Sequence, residues 1–144
     1  VISFAGYVSY VGRYMYFDRD GTIVESSEMK TAGVPEVTGL KFDHVVMYEK
    51  LPVENDKIFA RILDITQSLD KYELQADRLF FDKEYKVTLY FGEIRVQIGD
   101  NSSIDEKFSR LRSILPELAG EKGVLQMENF TAESKIIPFH KDKS

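Results

Sequence analysis

Residues Arg78–Gly99, RLFFDKEYKVTLYFGEIRVQIG, constrain the fold more than any other stretch. Lys86, Thr88 and Tyr90 alternate with Val87, Leu89 and Phe91; after Gly92-Glu93, Ile94, Val96 and Ile98 alternate with Arg95 and Gln97. Two runs of period-2 alternation separated by two residues predict an antiparallel hairpin. Glycine at the first central position suits a type II′ turn, which needs a positive φ there. A sheet with one apolar face needs a cover, and two amphipathic segments can supply it. The first is expected over about 55–72, capped by Asn55 or Asp56, with Ile58, Ile62, Ile65 and Leu69 on one face and Phe59 and Leu63 beside them. The second begins near Ser103, where Ser103-Ile104-Asp105-Glu106 reads as a capping box, and carries Ile104, Phe108, Leu111 and Leu115 before Pro116 and Gly120 end it. The fold class read from this pattern is α+β: a mostly antiparallel sheet with two amphipathic helices packed on one face.

The flanks add strands. Tyr14-Met15-Tyr16-Phe17 leads into Asp18-Arg19-Asp20-Gly21, a tight turn with glycine at its left-handed position, and Thr22-Ile23-Val24-Glu25 returns. Residues 26–33 read as a polar loop, and Pro35 makes Val34–Gly39 a short extended piece. Gly123–Phe130 reads as the final strand, and 131–144 as a polar tail, disordered from its middle onward, with an apolar patch at Ile136-Ile137.

Composition narrows the function. With 144 residues the chain is sized for one core. Nineteen Lys and Arg against 24 Asp and Glu leave a net charge of −5, without the basic surplus that displaces counterions from a nucleic-acid backbone. There is no cysteine, which excludes disulfides, thiol nucleophiles and cysteine-ligated metals. No run approaches the ~20 apolar residues of a membrane span. The chain starts at Val1 inside what reads as a strand, and is expected to be a piece of a longer protein.

One motif invites an enzyme. Phe17-Asp18-Arg19-Asp20-Gly21-Thr22 resembles the nucleophile motif of haloacid-dehalogenase-like phosphatases, and Gly99-Asp100 followed by Asp105 resembles their metal-binding acidic motif. Such a reading makes Asp18 and Asp20 the catalytic pair of a Mg²⁺-dependent phosphatase. That chemistry belongs to the carboxyl ends of parallel strands, whereas the strand before Asp100 is joined to its predecessor by two residues. The context therefore argues against it. His44 and His140 lack any neighbour that would orient a base or complete a metal site, and no catalytic, cofactor-binding or metal-ligating residue is assigned. The aromatic residues at 14–17, 80–81 and 90–91 sit among acids and are expected to pack rather than to stack nucleic-acid bases.

Taken in order, Tyr16-Phe17-Asp18-Arg19-Asp20-Gly21 with Val24-Glu25, then Val34-Pro35-Glu36-Val37-Thr38-Gly39-Leu40, then Ile98-Gly99, Lys107 and Ile114-Leu115-Pro116 resemble the C-terminal part of the FtsQ/DivIB cell-division proteins. Two departures are visible: Val34 stands where leucine is usual, and Gly123-Val124-Leu125-Gln126-Met127 replaces the common Gly-x-Ile-Asp-Leu. The resemblance implies an extracytoplasmic β domain over 1–130, with residues 1–12 open to being the tail of a preceding POTRA domain. It implies a parent anchored by one N-terminal membrane helix and placed at the division septum, where the family acts without catalysis or cofactor and holds FtsB/DivIC-like and FtsL-like partners. A peptidoglycan-binding module is the alternative that the aromatic content and a wall-facing location suggest.

If Gly123–Phe130 lies at a sheet edge, its open backbone groups invite an added partner strand. Val124, Gln126, Glu128 and Phe130 would then point one way and Leu125 and Met127 toward the helices, with Phe130 and neighbouring Tyr90 or Phe91 as the apolar anchor. The competing expectation is that the chain's own tail at Ile136-Ile137-Pro138-Phe139 covers that edge.

Overall fold

The computed structural model describes residues 4–100, 102–131, 133 and 136–142. Strands β1 (Gly6–Tyr10) and β2 (Arg13–Phe17) form a hairpin around Val11-Gly12, both at positive φ. Strand β3 (Ile23–Ser27) returns antiparallel to β2 through the Asp18–Gly21 turn, and β4 (Glu36–Thr38) lies parallel to β1. Helix α1 (Ile58–Lys71) leads to β5 (Arg78–Phe81), which is followed by β6 (Val87–Phe91) and β7 (Ile94–Gly99). Helix α2 (Ile104–Ile114) and a 3₁₀ turn (Leu115–Leu118) lead to β8 (Gly123–Gln126), and β9 (Phe139–Lys141) closes the series. Among the described residues these make one nine-stranded sheet in the order β3-β2-β1-β4-β5-β6-β7-β8-β9.

The α+β class stands, with antiparallel pairings in the majority, but the sheet is mixed. Strand β4 pairs in parallel with β5, and β7 with β8. Each of these pairs is bridged by a helix, and a helical crossover returns the chain in its starting direction. Between them the hairpin is as its alternation requires: Phe91 faces Ile94, and Gly92 has φ 64° at the first turn position.

Register explains the two faces. Val37, Leu79, Leu89, Val96 and Leu125 lie abreast across β4 to β8, each 2% exposed or less. Ile58, Phe59, Ile62, Ile65 and Leu69 of α1 and Phe108 and Leu111 of α2 join the same core. The adjacent row, Glu36, Arg78, Tyr90, Arg95, Val124 and His140, lies on the opposite, helix-free face. Gly39, directly after β4, has φ 88°, and a Cβ there would fall 1.9 Å from the Phe81 carbonyl oxygen. The two backbones meet where only hydrogen fits, which gives this motif glycine its physical reason.

Neither helix start carries the expected side-chain cap, although α2 begins where expected, at Ile104 after Ser103. Helix α1 begins at Ile58 without a side-chain cap; the Asn55 carboxamide instead accepts from the Lys57 N–H at 3.1 Å, one step too early. Ser103 takes a left-handed conformation (φ 54°) and caps nothing, because Asp100 already accepts the Ser102 N–H at 2.9 Å and the chain turns before the capping box can close. Gly123–Phe130 is strand only as far as Gln126. The tail is not unstructured throughout, since residues 139–141 form β9; 132, 134, 135, 143 and 144 lie outside the described residues, as do 1–3.

Candidate partner-binding edge

Strand β8 is not the sheet edge. It is held between β7 and β9, so the chain's own tail covers it, but with residues 138–142 rather than Ile136-Ile137-Pro138-Phe139; Ile136 is 83% exposed. Pro138 accepts the Gln126 N–H at 2.9 Å, and Lys122 accepts the Asp142 N–H at 2.9 Å, with Val124 opposite His140. Antiparallel residues alternate between facing the partner and facing away. Residues 138, 140 and 142 thus aim their backbone groups at β8, while Phe139 and Lys141 aim theirs outward from the sheet.

Gly123 permits this seating. A Cβ there would lie 2.3 Å from the His140 carbonyl oxygen and 2.9 Å from the Phe139 ring. The last strand packs against a bare α-carbon.

The six residues assigned to partner binding separate in three dimensions. Val124, Gln126 and Tyr90 share the helix-free face; Val124 sits between Arg95 and His140, and the Arg78 guanidinium lies 5.5 Å from the Tyr90 ring centroid. Phe91 points to the core side. Phe130 is 9% exposed and belongs to the core, because the chain leaves the strand after Gln126 and turns, with the Phe130 N–H donating to the Met127 carbonyl at 3.1 Å. Glu128 lies against Gly99, beyond the ladder. Phe130 and Tyr90 therefore lie on opposite sides of the sheet, and Phe130 is buried in the core with Phe91 packed against the same core.

The opposite edge of the sheet is closed. The Ile23 N–H donates to Glu49 at 3.0 Å and the Ile23 carbonyl accepts from Tyr48 at 2.8 Å, so residues 48–51 cover the start of β3. Arg13 covers its end: Nε donates to the Ser26 hydroxyl at 2.7 Å, one guanidinium nitrogen to the Ser26 carbonyl at 3.3 Å, and another to Glu28 at 3.2 Å. Beside β9 lie exposed ion pairs, Lys141–Glu121 at 3.3 Å, Lys122–Glu93 at 3.2 Å and Arg95–Asp142. Pairs so open to water add little stability.

Lys107 was legible only as a motif residue, yet it is fully buried and its Nζ donates to the Ile98 carbonyl at 2.8 Å. Ile98 is the bulged residue of β7: Val87 pairs with Gly99 and Thr88 with Gln97. The bulge leaves a backbone carbonyl without a strand partner, and the lysine satisfies it. Burial lowers the Lys107 pKa, with the Asp100 and Glu128 carboxylates opposing. Its position three residues after Ile104 and four before Leu111 is the signal that places it on the buried stripe.

The acidic motifs hold turns. The Asp18 carboxylate accepts the N–H groups of Asp20 at 2.9 Å and Thr22 at 3.1 Å. Asp100 binds Ser102, which lowers its pKa, and Asp105 pairs with Lys71 at 3.5 Å. Asp18 follows β2 and Asp100 follows β7, five strand spacings away, or about 24 Å. The two halves of the phosphatase-like pattern do not meet. His44 lies in an exposed loop against Asp43, and His140 is exposed on β9. The expectation that the aromatic clusters pack holds for Tyr16, Phe17 and Phe81, each at most 1% exposed, while Phe80 is 39% exposed.

Among the described residues, the class is an α+β domain: a mixed sheet backed on one side by two helices, with residues 48–51 against one edge strand and β9 as the other. The family model for the C-terminal region of the cell division proteins FtsQ/DivIB matches residues 6–133. The chain belongs to the FtsQ/DivIB family, and its role is in cell division. The family comprises membrane proteins of the division site. Among the described residues, no helix is long and apolar enough to cross a membrane. A search of curated protein sequences returns no match.

Proposed function

We propose that this domain is a non-enzymatic scaffold of the divisome that takes an extended segment of a membrane-anchored partner, of the FtsB/DivIC or FtsL type, as an added strand along the outer edge of β9. The domain then stands on the extracytoplasmic side of the membrane, carried by an anchor elsewhere in the parent protein. The observation that carries this reading is the asymmetry of the sheet: β3 is closed by Arg13 and residues 48–51, whereas β9 ends the sheet with Phe139 and Lys141 facing outward. An added strand would exchange backbone bonds with those two residues, each bond worth ~0.5–1.5 kcal/mol net. Val124, with Gln126 and Tyr90 further along the helix-free face, would meet partner side chains next to His140. Phe91, Glu128 and Phe130 would act only by holding the edge in place.

Lys141→Pro tests it. The Lys141 N–H faces away from β8, so its loss removes no ladder bond, and proline is tolerated on an edge strand. Partner affinity in calorimetry with a soluble FtsB/DivIC-like segment should fall at least tenfold while the denaturation midpoint holds, and Lys141→Ala should bind as the parent does. Equal affinity of the proline and alanine variants refutes strand addition at β9.

A further inference from the structure

We propose that the groove between α1 and the Asp18–Gly21 turn is a second docking site, and that its occupant is a short extended protein segment with Lys or Arg side chains flanking one or two bulky aliphatic ones. The groove has a volume of about 700 Å³. Leu63, Leu69 and Leu74 give it an apolar floor, faced by Phe4 and Pro35. Along the helix from Leu63 to Asp70 it runs about 10 Å, the reach of three extended residues. That length admits a short extended peptide.

Charge selects the peptide. Asp18, Asp20 and Asp70 line the groove against the single cation Arg19. Asp20 and Asp70 are exposed, and Asp18, half-buried, also accepts two N–H groups of its own turn. Among the described residues, none of the three groove aspartates has an ion-pair partner. Unneutralised carboxylates around an apolar floor are complementary to a basic, apolar chain, and such complementarity fixes partner choice and register. The groove adjoins β1 and β4, about five strand spacings from β9, so this inference stands whether or not β9 takes a partner strand.

The probe is a capped Lys-Leu-Lys-Leu-Lys peptide titrated into the isotopically labelled 144-residue chain, with Glu-Leu-Glu-Leu-Glu as the sign control. Amide shifts should concentrate at 18–20 and 63–76. The double variant Asp20→Lys/Asp70→Lys should weaken binding at least about fivefold. Asp64→Lys, an exposed change on α1 outside the groove, should leave binding unchanged and reports general attraction to the net charge. The proposal is overturned if shifts are absent at millimolar peptide, spread evenly or fall on β9, if the acidic peptide binds equally, or if Asp64→Lys loses as much as the double variant. Shifts at 63–76 that grow with protein concentration alone would also overturn it, by making a second copy the occupant.

Discussion

Gly123→Ala should loosen the last strand without unfolding the domain. The φ of Gly123 lies outside the left-handed region, so the penalty is steric. The new methyl would sit 2.3 Å from the His140 oxygen, where ordinary contact starts near 3.4 Å, so β9 must retreat by about 1 Å. Such a shift stretches the 2.9 Å bonds Gln126 N–H to Pro138 and Asp142 N–H to Lys122 past useful length. Two bonds named here and the Val124–His140 pair, at ~0.5–1.5 kcal/mol each, bound the loss at a few kcal/mol, and the freed residues regain conformational entropy that offsets part of it. The net cost is about 1–3 kcal/mol, confined to the β8–β9 ladder. The core row from Val37 to Leu125 is untouched, so cooperative unfolding should persist. Amide hydrogen exchange reads the local effect: Gln126 and Asp142 should exchange at least tenfold faster, while Leu89 and Val96 keep their protection. Binding of a strand-adding partner should fall with it. Wild-type exchange at Gln126 and Asp142 in the alanine variant would refute the seating of β9 on Gly123.

Gly39→Ala combines a left-handed backbone with a Cβ 1.9 Å from the Phe81 oxygen and should cost about 3–5 kcal/mol in urea unfolding; a loss under 1 kcal/mol contradicts the close approach of β4 and β5. Asp18→Ala removes the acceptor of two backbone N–H groups and should cost about 1–2 kcal/mol, with no hydrolysis of an aryl phosphate before or after the change. Tyr7, 4% exposed, has its pKa pushed up to about 12, by burial first and by Glu36 second. The folded state keeps this proton longer than the unfolded chain, which loses it near 10. The contribution is therefore present below pH 10 and lost as pH rises toward 12. Tyr7→Phe should lose less stability than the parent over that window, and parallel denaturation midpoints would count against it.

The sequence by itself determined the local pieces, because their causes are local. Alternation at 86–98 with Gly92 between the runs specifies the β6–β7 hairpin, whose partners are neighbours in the chain. The Asp18–Gly21 turn is closed by its own carboxylate, and the spacing of Ile58, Ile62, Ile65 and Leu69 makes α1 and names its buried face. The ordered motifs were enough for the family resemblance. What the sequence could not supply were the contacts between segments distant in the chain. The parallel pairing of β4 with β5 and of β7 with β8 follows from where the helices return the chain, and no residue in those strands encodes it. Alternation continued on paper to Phe130, but the strand stops at Gln126 and Phe130 turns into the core. The capping box at Ser103 is sound as a local pattern and loses to Asp100, which bends the chain first. The position of the open edge was decided by three residues, Phe139–Lys141, whose own pattern is too short to declare a strand. They form one because β8 offers an unpaired ladder and Gly123 lacks the side chain that would keep them off.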